Sequence, residues 1–324
     1  MYMNIRTRIN RSKQMIRMVR ALSLTPSELI YPIFVREDGK NFEISSLKGQ
    51  HYLSLKDTVK MCEHCIELGI PAVMIFAILE RKDKDGLCAL EKNNFNLEVF
   101  RTLKKELKDD IVLISNVCLC TYTNDEYCVY TDRKGKVLHE KSAIMLGKIS
   151  RTHAEAGADV VAPAAMVDGQ VKHIRESLDD AGYDDIPIMS YIKSDSCLFE
   201  PYFKAMSTRK KPRVGIDSSK FRCDPLNARM FMQKLDLDIR EGADIVIIKP
   251  ALTNLDIISL TRQMFPSIPV AAYQVSGEYA MMHSAIRAGY LKYEKVILET
   301  LKSIRRAGAD MILTYDATKI CEYL

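Results

Sequence analysis

The sequence has no long apolar run and no strong net charge, and both absences narrow the classes of function that it can have. No apolar stretch approaches the roughly 18 residues that a membrane span needs, and no secretory signal pattern opens the chain. Lysine and arginine number 47 against 42 acidic residues, and no nucleic-acid-binding motif accompanies this mild excess. We therefore expect a soluble, cytoplasmic protein that binds small molecules or proteins, and neither nucleic acid nor membrane.

The chain also lacks the marks of a disulfide scaffold, although it contains nine cysteines. An odd number of cysteines without an export signal fits reduced thiols or metal ligands. Cys62 and Cys65, in the sequence CEHC, resemble a redox motif or half of a zinc site. However, Cys62 shares an apolar helical face with Leu55, Val59 and Ile66, and no second CxxC exists, so we interpret the pair as core residues.

Short apolar runs rich in valine and isoleucine alternate with segments of helical periodicity. Near-continuous apolar strands separated by helices predict a parallel sheet that is covered on both faces. Three strands follow the same pattern, in which a glycine ends a helix before the turn: EAGADVV, REGADIV and RRAGADMI. The eight runs predict a single (β/α)8 TIM barrel, of the α/β class, over residues 29–324. They lie at residues 29–35, 72–78, 111–117, 159–165, 186–192, 244–250, 268–275 and 310–316.

The segment from Met1 to Arg20 contains six basic side chains and no acidic one. This composition resembles an organellar transit peptide, but it also suits a basic arm that lies on a neighbouring subunit. A strand-like sequence begins at Leu29 without an intervening linker, which favours the arm. We therefore assign residues 1–28 to a basic N-terminal arm.

A lysine ends the apolar strand at residues 244–250, immediately before a proline. Barrel enzymes place their chemistry at the carboxyl ends of the strands, and both Lys193 and Lys249 fall at such ends. An amine attacks a carbonyl only when it is unprotonated, so burial and a second nearby cation would make Lys249 a nucleophile. A solvated strand cap is the alternative interpretation.

Three cysteines lie close together where the third strand ends, in the sequence CLCTYTNDEYC. Cys118, Cys120 and Cys128 offer thiolates, which Zn²⁺ binds tightly, and three ligands leave one coordination position open, as a catalytic zinc site requires. Buried cysteines without a metal are common. Their density on one strand-end loop nevertheless favours a metal site.

The segment STRKKPRVGIDSSKFR, residues 207–222, is polar and basic and follows the fifth strand. It is either a solvated loop or a lid, and its length beside the barrel mouth favours a lid whose cations bind carboxylate substrates. We place this lid at residues 198–222.

Several motifs are spread along the chain: SELIYPIFVRE, KDKDG, CLCTYT with Cys128, APAAMVDGQV, IMSY, REGADIVIIKPA, AAYQVSGEYAM and RRAGADMILTY. In these motifs, and over nearly its whole length, the sequence resembles the porphobilinogen synthase (5-aminolaevulinate dehydratase) family. The resemblance implies a homo-oligomer, an octamer clasped by N-terminal arms, that condenses two molecules of 5-aminolaevulinate to porphobilinogen in haem biosynthesis. It assigns the Schiff base with the first, P-side, substrate to Lys249, and the carboxylate of that substrate to Ser276 and Tyr315.

For the second, A-side, substrate the resemblance implies a catalytic zinc ion on the three cysteines and a second lysine, for which Lys193 is the candidate. It also places Phe203, Lys204 and Arg222 at the substrate. Two arginines of the family's lid are Lys204 and Ser218 here, which removes the bidentate guanidinium contact to a carboxylate.

Other departures from the family pattern also lie mainly around the A side. Ser194 occupies the position of the family's second lysine, so Lys193 is shifted by one residue, and such a shift along a strand reverses the face of a side chain. Asn116 and Tyr127 replace an aspartate and a histidine that flank the zinc cysteines, and Asn254 replaces an aromatic residue.

These departures leave three functional hypotheses open. The first is a porphobilinogen synthase-like enzyme in which Lys249 captures the first substrate and A-side recognition is altered, with Arg209, Arg213 or Arg222 supplying the missing cation. The second is a divergent homologue that captures 5-aminolaevulinate or another 4-oxo acid but has changed or lost its A-side chemistry. The third is a structural paralogue in which Lys249 is idle.

Overall fold

The computed structural model describes residues 6–208 and 217–324. Within these ranges, all the strands belong to one sheet. A short hairpin of β2 and β3 lies beside β1, and the other eight strands form the barrel. The strands are β1 (Leu29–Arg36), β2 (Phe42–Glu43), β3 (His51–Leu53), β4 (Ala72–Ile78), β5 (Val112–Val117), β6 (Val160–Pro163), β7 (Met189–Lys193), β8 (Ile245–Lys249), β9 (Val270–Gln274) and β10 (Met311–Thr314).

The barrel strands run in the order β6, β5, β4, β1, β10, β9, β8, β7, and neighbouring strands pair in parallel. The circle closes between β6 and β7 through a parallel bridge from Val161 to Ile188. Each of the eight predicted apolar runs overlaps one of these strands, so the (β/α)8 barrel prediction is confirmed. The hairpin of β2 and β3 was not predicted, because its strands are too short to show an apolar pattern.

Helices between the strands cover the outside of the barrel. In α10, Ile297, Leu301 and Ile304 follow helical spacing and are fully buried, which is the pattern expected for one apolar face. Cys62 and Cys65 are buried in α2, in agreement with their interpretation as core residues. The helices are α1 (Lys13–Met18), α2 (Leu55–Glu67), α3 (Phe95–Leu107), α4 (His139–Glu155), α5 (Gln170–Asp179), α6 (Glu200–Met206), α7 (Ala228–Arg240), α8 (Leu255–Met264), α9 (Ser276–Arg287), α10 (Tyr293–Ala307) and α11 (Ala317–Ile320).

No described helix has both the length and the apolar character that crossing a lipid bilayer would require. The described part of the proposed arm, residues 6–28, contains a short 3-10 turn and α1, and most of its side chains are exposed. An ion pair of 2.7 Å between Glu28 and Arg305 fastens the end of this segment to α10.

A fully buried histidine links three elements beneath the loop that carries the cysteines. His153 of α4 lies 2.7 Å from the Tyr122 hydroxyl and 3.0 Å from Asn96 Nδ2 through its Nε2 atom. Its Nδ1 atom contacts the Ser115 hydroxyl on β5. Burial lowers the pKa of His153 to about 3, because desolvation disfavours the imidazolium ion.

This depressed pKa predicts an acid-sensitive contribution to stability. Below the unfolded pKa of about 6.5 the unfolded chain binds a proton that folded His153 does not, so stability falls as pH decreases from about 6.5 towards 3. His153→Gln should be less stable than the wild type at pH 7 but should show a flatter pH dependence over this interval. Urea unfolding at several pH values measures both quantities. His64→Gln, at an exposed histidine, is the matched control, and parallel curves for the wild type and His153→Gln would contradict the prediction.

Candidate active site

The carboxyl ends of four strands surround one cavity. Lys193 ends β7 and Lys249 ends β8, and the two residues are paired in register. Paired residues of neighbouring parallel strands lie on the same face of the sheet, so both amines enter the cavity. Its lining residues are Asn116, Cys118, Cys120, Cys128, Ala164, Lys193, Phe199, Tyr202, Phe203, Arg222 and Lys249.

Aromatic rings surround the amine of Lys249. Its Nζ atom lies 3.9 Å from the centroid of the Tyr191 ring, 5.1 Å from that of Tyr273 and 5.5 Å from that of Phe199. Burial, and then the positive charge of Lys193, lower the pKa of Lys249 well below its ordinary value. Both effects favour the neutral amine, which is the nucleophilic form.

Lys193 reaches the same cavity because β7 continues as a regular strand through this residue. Tyr191 and Lys193 are two positions apart on β7, and both side chains therefore lie on its inner face. The Lys193 ammonium donates to the carbonyl of Ala164, and burial lowers its pKa. Ser194 is also buried, but its backbone N–H donates to the Lys249 carbonyl at 3.2 Å and it is not among the lining residues. The shift of one residue thus keeps a lysine in the cavity.

The three cysteines of the loop after β5 converge on one point. Their sulfur atoms all lie within 4.8 Å of one another, and the Sγ atoms of Cys118 and Cys120 are 3.0 Å apart. Sulfur atoms bound to one tetrahedral zinc ion at about 2.3 Å would be separated by somewhat less than 4 Å. The donor set and its spacing therefore fit a soft metal ion, and the cluster can hold one.

Ser276 and Tyr315 lie at the same end of the barrel but do not line this cavity. The Ser276 hydroxyl, at the start of α9, accepts from the backbone N–H of Tyr202 at 3.0 Å and donates to the Leu198 carbonyl at 3.1 Å. The Tyr315 hydroxyl lies 2.9 Å from that of Tyr273. Both hydroxyls are thus engaged with other protein groups in this structure.

The residues proposed for the second carboxylate are divided between the cavity and the surface. Phe203 and Arg222 line the cavity, whereas Lys204 is exposed on α6. Arg222 donates to Asp195 at 3.1 Å, and Ser218 donates to the same carboxylate oxygen at 2.6 Å. The predicted lid thus contributes α6 and a short turn at residues 218–220 to the described structure.

Arg209 and Arg213 lie outside the residues that the structure describes. Of the flanking positions, Asn116 lines the cavity. Tyr127 is partly exposed, and its backbone N–H donates to Asp125 at 3.1 Å. Asn254 donates to the Pro250 carbonyl at 2.8 Å, immediately after the strand that carries Lys249.

Sequence reasoning did not identify the aromatic surroundings of Lys249. Tyr191 could have been identified from the sequence, because it lies two positions before Lys193 on one strand, and alternate residues of a strand lie on the same face. Phe199 belongs to the segment that leads into α6, and only the return of this segment over the barrel brings its ring within reach.

A parallel (β/α)8 barrel with two buried amines beside three converging thiols at the carboxyl ends of its strands defines the class of this protein, a barrel enzyme. The family model described as "Delta-aminolevulinic acid dehydratase" matches residues 4–323. The chain therefore belongs to the delta-aminolevulinic acid dehydratase family.

Individual relatives agree with this assignment along the whole chain. The chain is 43% identical over 317 residues to the delta-aminolevulinic acid dehydratase of Methanothermus sociabilis, and the match covers 97% of each chain. It is 40% identical over 322 residues to the protein of the same name from Archaeoglobus fulgidus, covering 99% of this chain and 98% of that protein.

A solved structure extends the similarity to three dimensions. It is the delta-aminolevulinic acid dehydratase (porphobilinogen synthase) of Toxoplasma gondii in complex with the reaction product porphobilinogen. This structure has a TM-score of 0.95 and 33% sequence identity to the chain, covering 100% of this chain and 92% of that one.

The cysteine cluster predicts that the purified protein binds about one soft divalent ion per chain. Loading with Cd²⁺ should produce near-ultraviolet thiolate absorbance, and Cys120→Ser should weaken binding by at least about tenfold, because a hydroxyl is a poor substitute for a thiolate. Cys197→Ser, at an exposed cysteine, should bind Cd²⁺ like the wild type. Failure of the wild-type protein to take up the ion would exclude a metal site here.

Proposed function

We propose that this chain condenses two molecules of 5-aminolaevulinate to porphobilinogen, with release of two molecules of water. The observation that carries the proposal is the buried amine of Lys249, held among aromatic rings next to Lys193 and lining one cavity with the three cysteines. Membership of the delta-aminolevulinic acid dehydratase family and the likeness to a relative that binds porphobilinogen support it.

In the proposed reaction, Lys249 captures the first substrate. Its neutral amine adds to the C4 ketone, a proton moves from nitrogen to the new alkoxide, and loss of water leaves a Schiff base. The Schiff base is cationic when protonated, and the faces of Tyr191 and Tyr273 would stabilise that charge. Lys193 has two roles, because its charge keeps Lys249 neutral and its ammonium can donate a proton at the second substrate.

We assign zinc to the metal site formed by Cys118, Cys120 and Cys128, since three thiolates with an open fourth position are the donor set of catalytic zinc. When bound, the ion supplies Lewis-acid polarisation to an oxygen or nitrogen of the second substrate. Cys118 immediately follows β5, so the sheet holds this ligand beside the cavity that Lys193 also lines.

The two substrate carboxylates have different partners in this proposal. Ser276 and Tyr315 bind the first, after the segment at Leu198 and Tyr202 releases the Ser276 hydroxyl. Arg222 binds the second, with Phe203 shaping the cavity and Lys204 at its edge. The Arg222 Nε–H finds no acceptor among the described residues, which leaves this donor without a partner beside the cavity.

A specific observation favours altered second-substrate recognition as the second candidate function. Asp195 is paired with the guanidinium of Arg222 and accepts from Ser218. Among the described residues, Arg222 is the one cation besides the two lysines that lines the cavity, and Asp195 already neutralises its charge. The carboxylate of a second substrate must therefore compete with Asp195 for Arg222. Capture of a 4-oxo acid at Lys249 requires no contact with this pair.

We also propose a homo-oligomer, an octamer in which the arm of residues 1–28 packs on a neighbouring subunit. Several large apolar side chains of the arm are exposed on the isolated chain, and contact with a second copy would bury them. They are Ile9, Met18, Val19 and Leu22.

Trapping with borohydride tests the role of Lys249. Incubation with 5-aminolaevulinate and borohydride should add the mass of one reduced adduct to the wild-type chain, as measured by intact-protein mass spectrometry. Lys249→Ala and Lys249→Arg should both lose the adduct, because a guanidinium stays protonated. Lys172→Ala, at an exposed lysine, is the control, and an adduct that persists in Lys249→Ala would transfer the role to Lys193.

The two carboxylate sites differ, and this difference predicts that changes at Arg222 impair porphobilinogen formation more than they impair capture of the first substrate by Lys249. Removing a guanidinium contact to a carboxylate costs about 1.5–3 kcal/mol, so Arg222→Gln should raise the substrate concentration for half-maximal porphobilinogen formation about tenfold or more. The concentration needed for half-maximal trapping should not change. Asp195→Asn should shift product formation to lower substrate concentrations. Equal shifts of trapping and product formation in Arg222→Gln would refute the separate roles.

A further inference from the structure

Glu126 combines two unfavourable features in the loop that carries the three cysteines. Its backbone lies in the left-handed region, at φ +57°, where a residue with a side chain is strained. Its side chain is also only 4% exposed, and a buried carboxylate is unfavourable unless it is paired. Such features persist only where the surrounding contacts hold them in place.

The Glu126 carboxylate connects three segments that are distant in sequence. It lies 2.8 Å from the ammonium of Lys82, whose side chain is 7% exposed. It accepts from the Ser207 hydroxyl at 2.6 Å, and from the backbone N–H of Thr208 at 2.9 Å and its hydroxyl at 3.2 Å. Ser207 and Thr208 immediately follow α6.

Two of these segments are already joined by their backbones. Asp83 donates to the Tyr122 carbonyl at 3.0 Å and accepts from Asn124 at 2.8 Å, so the loop after β4 and the cysteine loop form one unit. Glu126 joins this unit to the end of α6. The beginning of α6 is held elsewhere, by Ser276 through Tyr202 and by Ser46 through Pro201.

The inner face of α6 lies between Glu126 and the active-site cavity. Tyr202 and Phe203 line that cavity together with Cys120. The same three residues line a smaller space with Glu126 and Ser207. A displacement at the end of α6 would therefore move the rings that face the substrates relative to the cysteines.

We propose that Glu126 is a positioning residue that holds the end of α6 against the cysteine loop, so that the substrate-facing rings keep a fixed place relative to the metal ligands. Binding of a metal ion to the cysteines and ordering of α6 are then linked through this carboxylate. The role of the rings in turnover rests on the proposed function, whereas the link itself does not.

Hydrogen exchange tests the link without turnover. In the wild-type protein, loading with Cd²⁺ should slow amide exchange in peptides covering residues 200–208 at least severalfold. Glu126→Gly removes the carboxylate and the backbone strain, and should abolish this response while thiolate absorbance of bound Cd²⁺ persists. Ser207→Ala with Thr208→Val should weaken it too, without a change in the cysteine loop, because only the backbone N–H of residue 208 then donates to Glu126. Lys108→Gly, at another residue with positive φ, should respond like the wild type.

Kinetics tests the consequence for substrates. Glu126→Gly should raise KM for porphobilinogen formation about tenfold and change kcat less, and its effect should not add to that of Ser207→Ala. Glu126→Gln combined with Lys82→Met should restore much of the loss, because the amide oxygen can still accept from Thr208 while the amide nitrogen donates to the Ser207 hydroxyl. A persistent response of residues 200–208 to Cd²⁺ in Glu126→Gly, or additive kinetic effects, would overturn the proposal. Absence of product from the wild-type protein would count against the proposed function alone, since the exchange result decides the role of Glu126 independently.

Discussion

The site depends on one constraint, the burial of an amine at the end of an apolar strand. Desolvation of Lys249 costs free energy, and the favourable packing of the barrel strands offsets this cost. Aromatic rings take the place of water around the amine, and a second lysine on the neighbouring strand disfavours its protonation. The folded barrel thereby favours the neutral form of this amine, and the pairing of β7 with β8 places both amines in one cavity.

The part of the site around Lys249 and the part around Arg222 are stabilised by different interactions. Around Lys249, close-packed strands and rings hold the groups, and their positions follow from the barrel itself. Around Arg222, a guanidinium is held by Asp195 and by three phenylalanine rings, with Ser218 bonded to the same carboxylate. This second part is built from loops, whose sequence changes without loss of the barrel, and two of the expected departures from the family pattern, Lys204 and Ser218, lie in this part of the chain.

The loop of the cysteines combines both kinds of support. Cys118 is attached to β5, whereas Cys120 lies in a short 3-10 turn and Cys128 in irregular backbone, and this loop contacts the loop after β4. The strained and buried Glu126 connects this loop to α6. The cysteine cluster and α6, which lines the candidate cavity, are therefore parts of one hydrogen-bonded unit.

The barrel could be predicted from the sequence alone, because eight buried parallel strands require near-continuous apolar runs. The alternation of these runs with helical segments is visible in the sequence. The sequence also identified Lys249, Lys193 and the three cysteines as groups at one end, since strand ends are shared in a parallel barrel. The sequence did not show which way the Lys193 side chain faces. A shift of one residue along a regular strand reverses the face of a side chain, so the answer depends on whether the strand extends to Lys193. Only the folded structure shows that β7 continues through this residue. The contacts of Glu126 with Lys82, Ser207 and Thr208 were likewise decided by tertiary structure alone, because they join loops that are distant in sequence and whose paths no local pattern encodes.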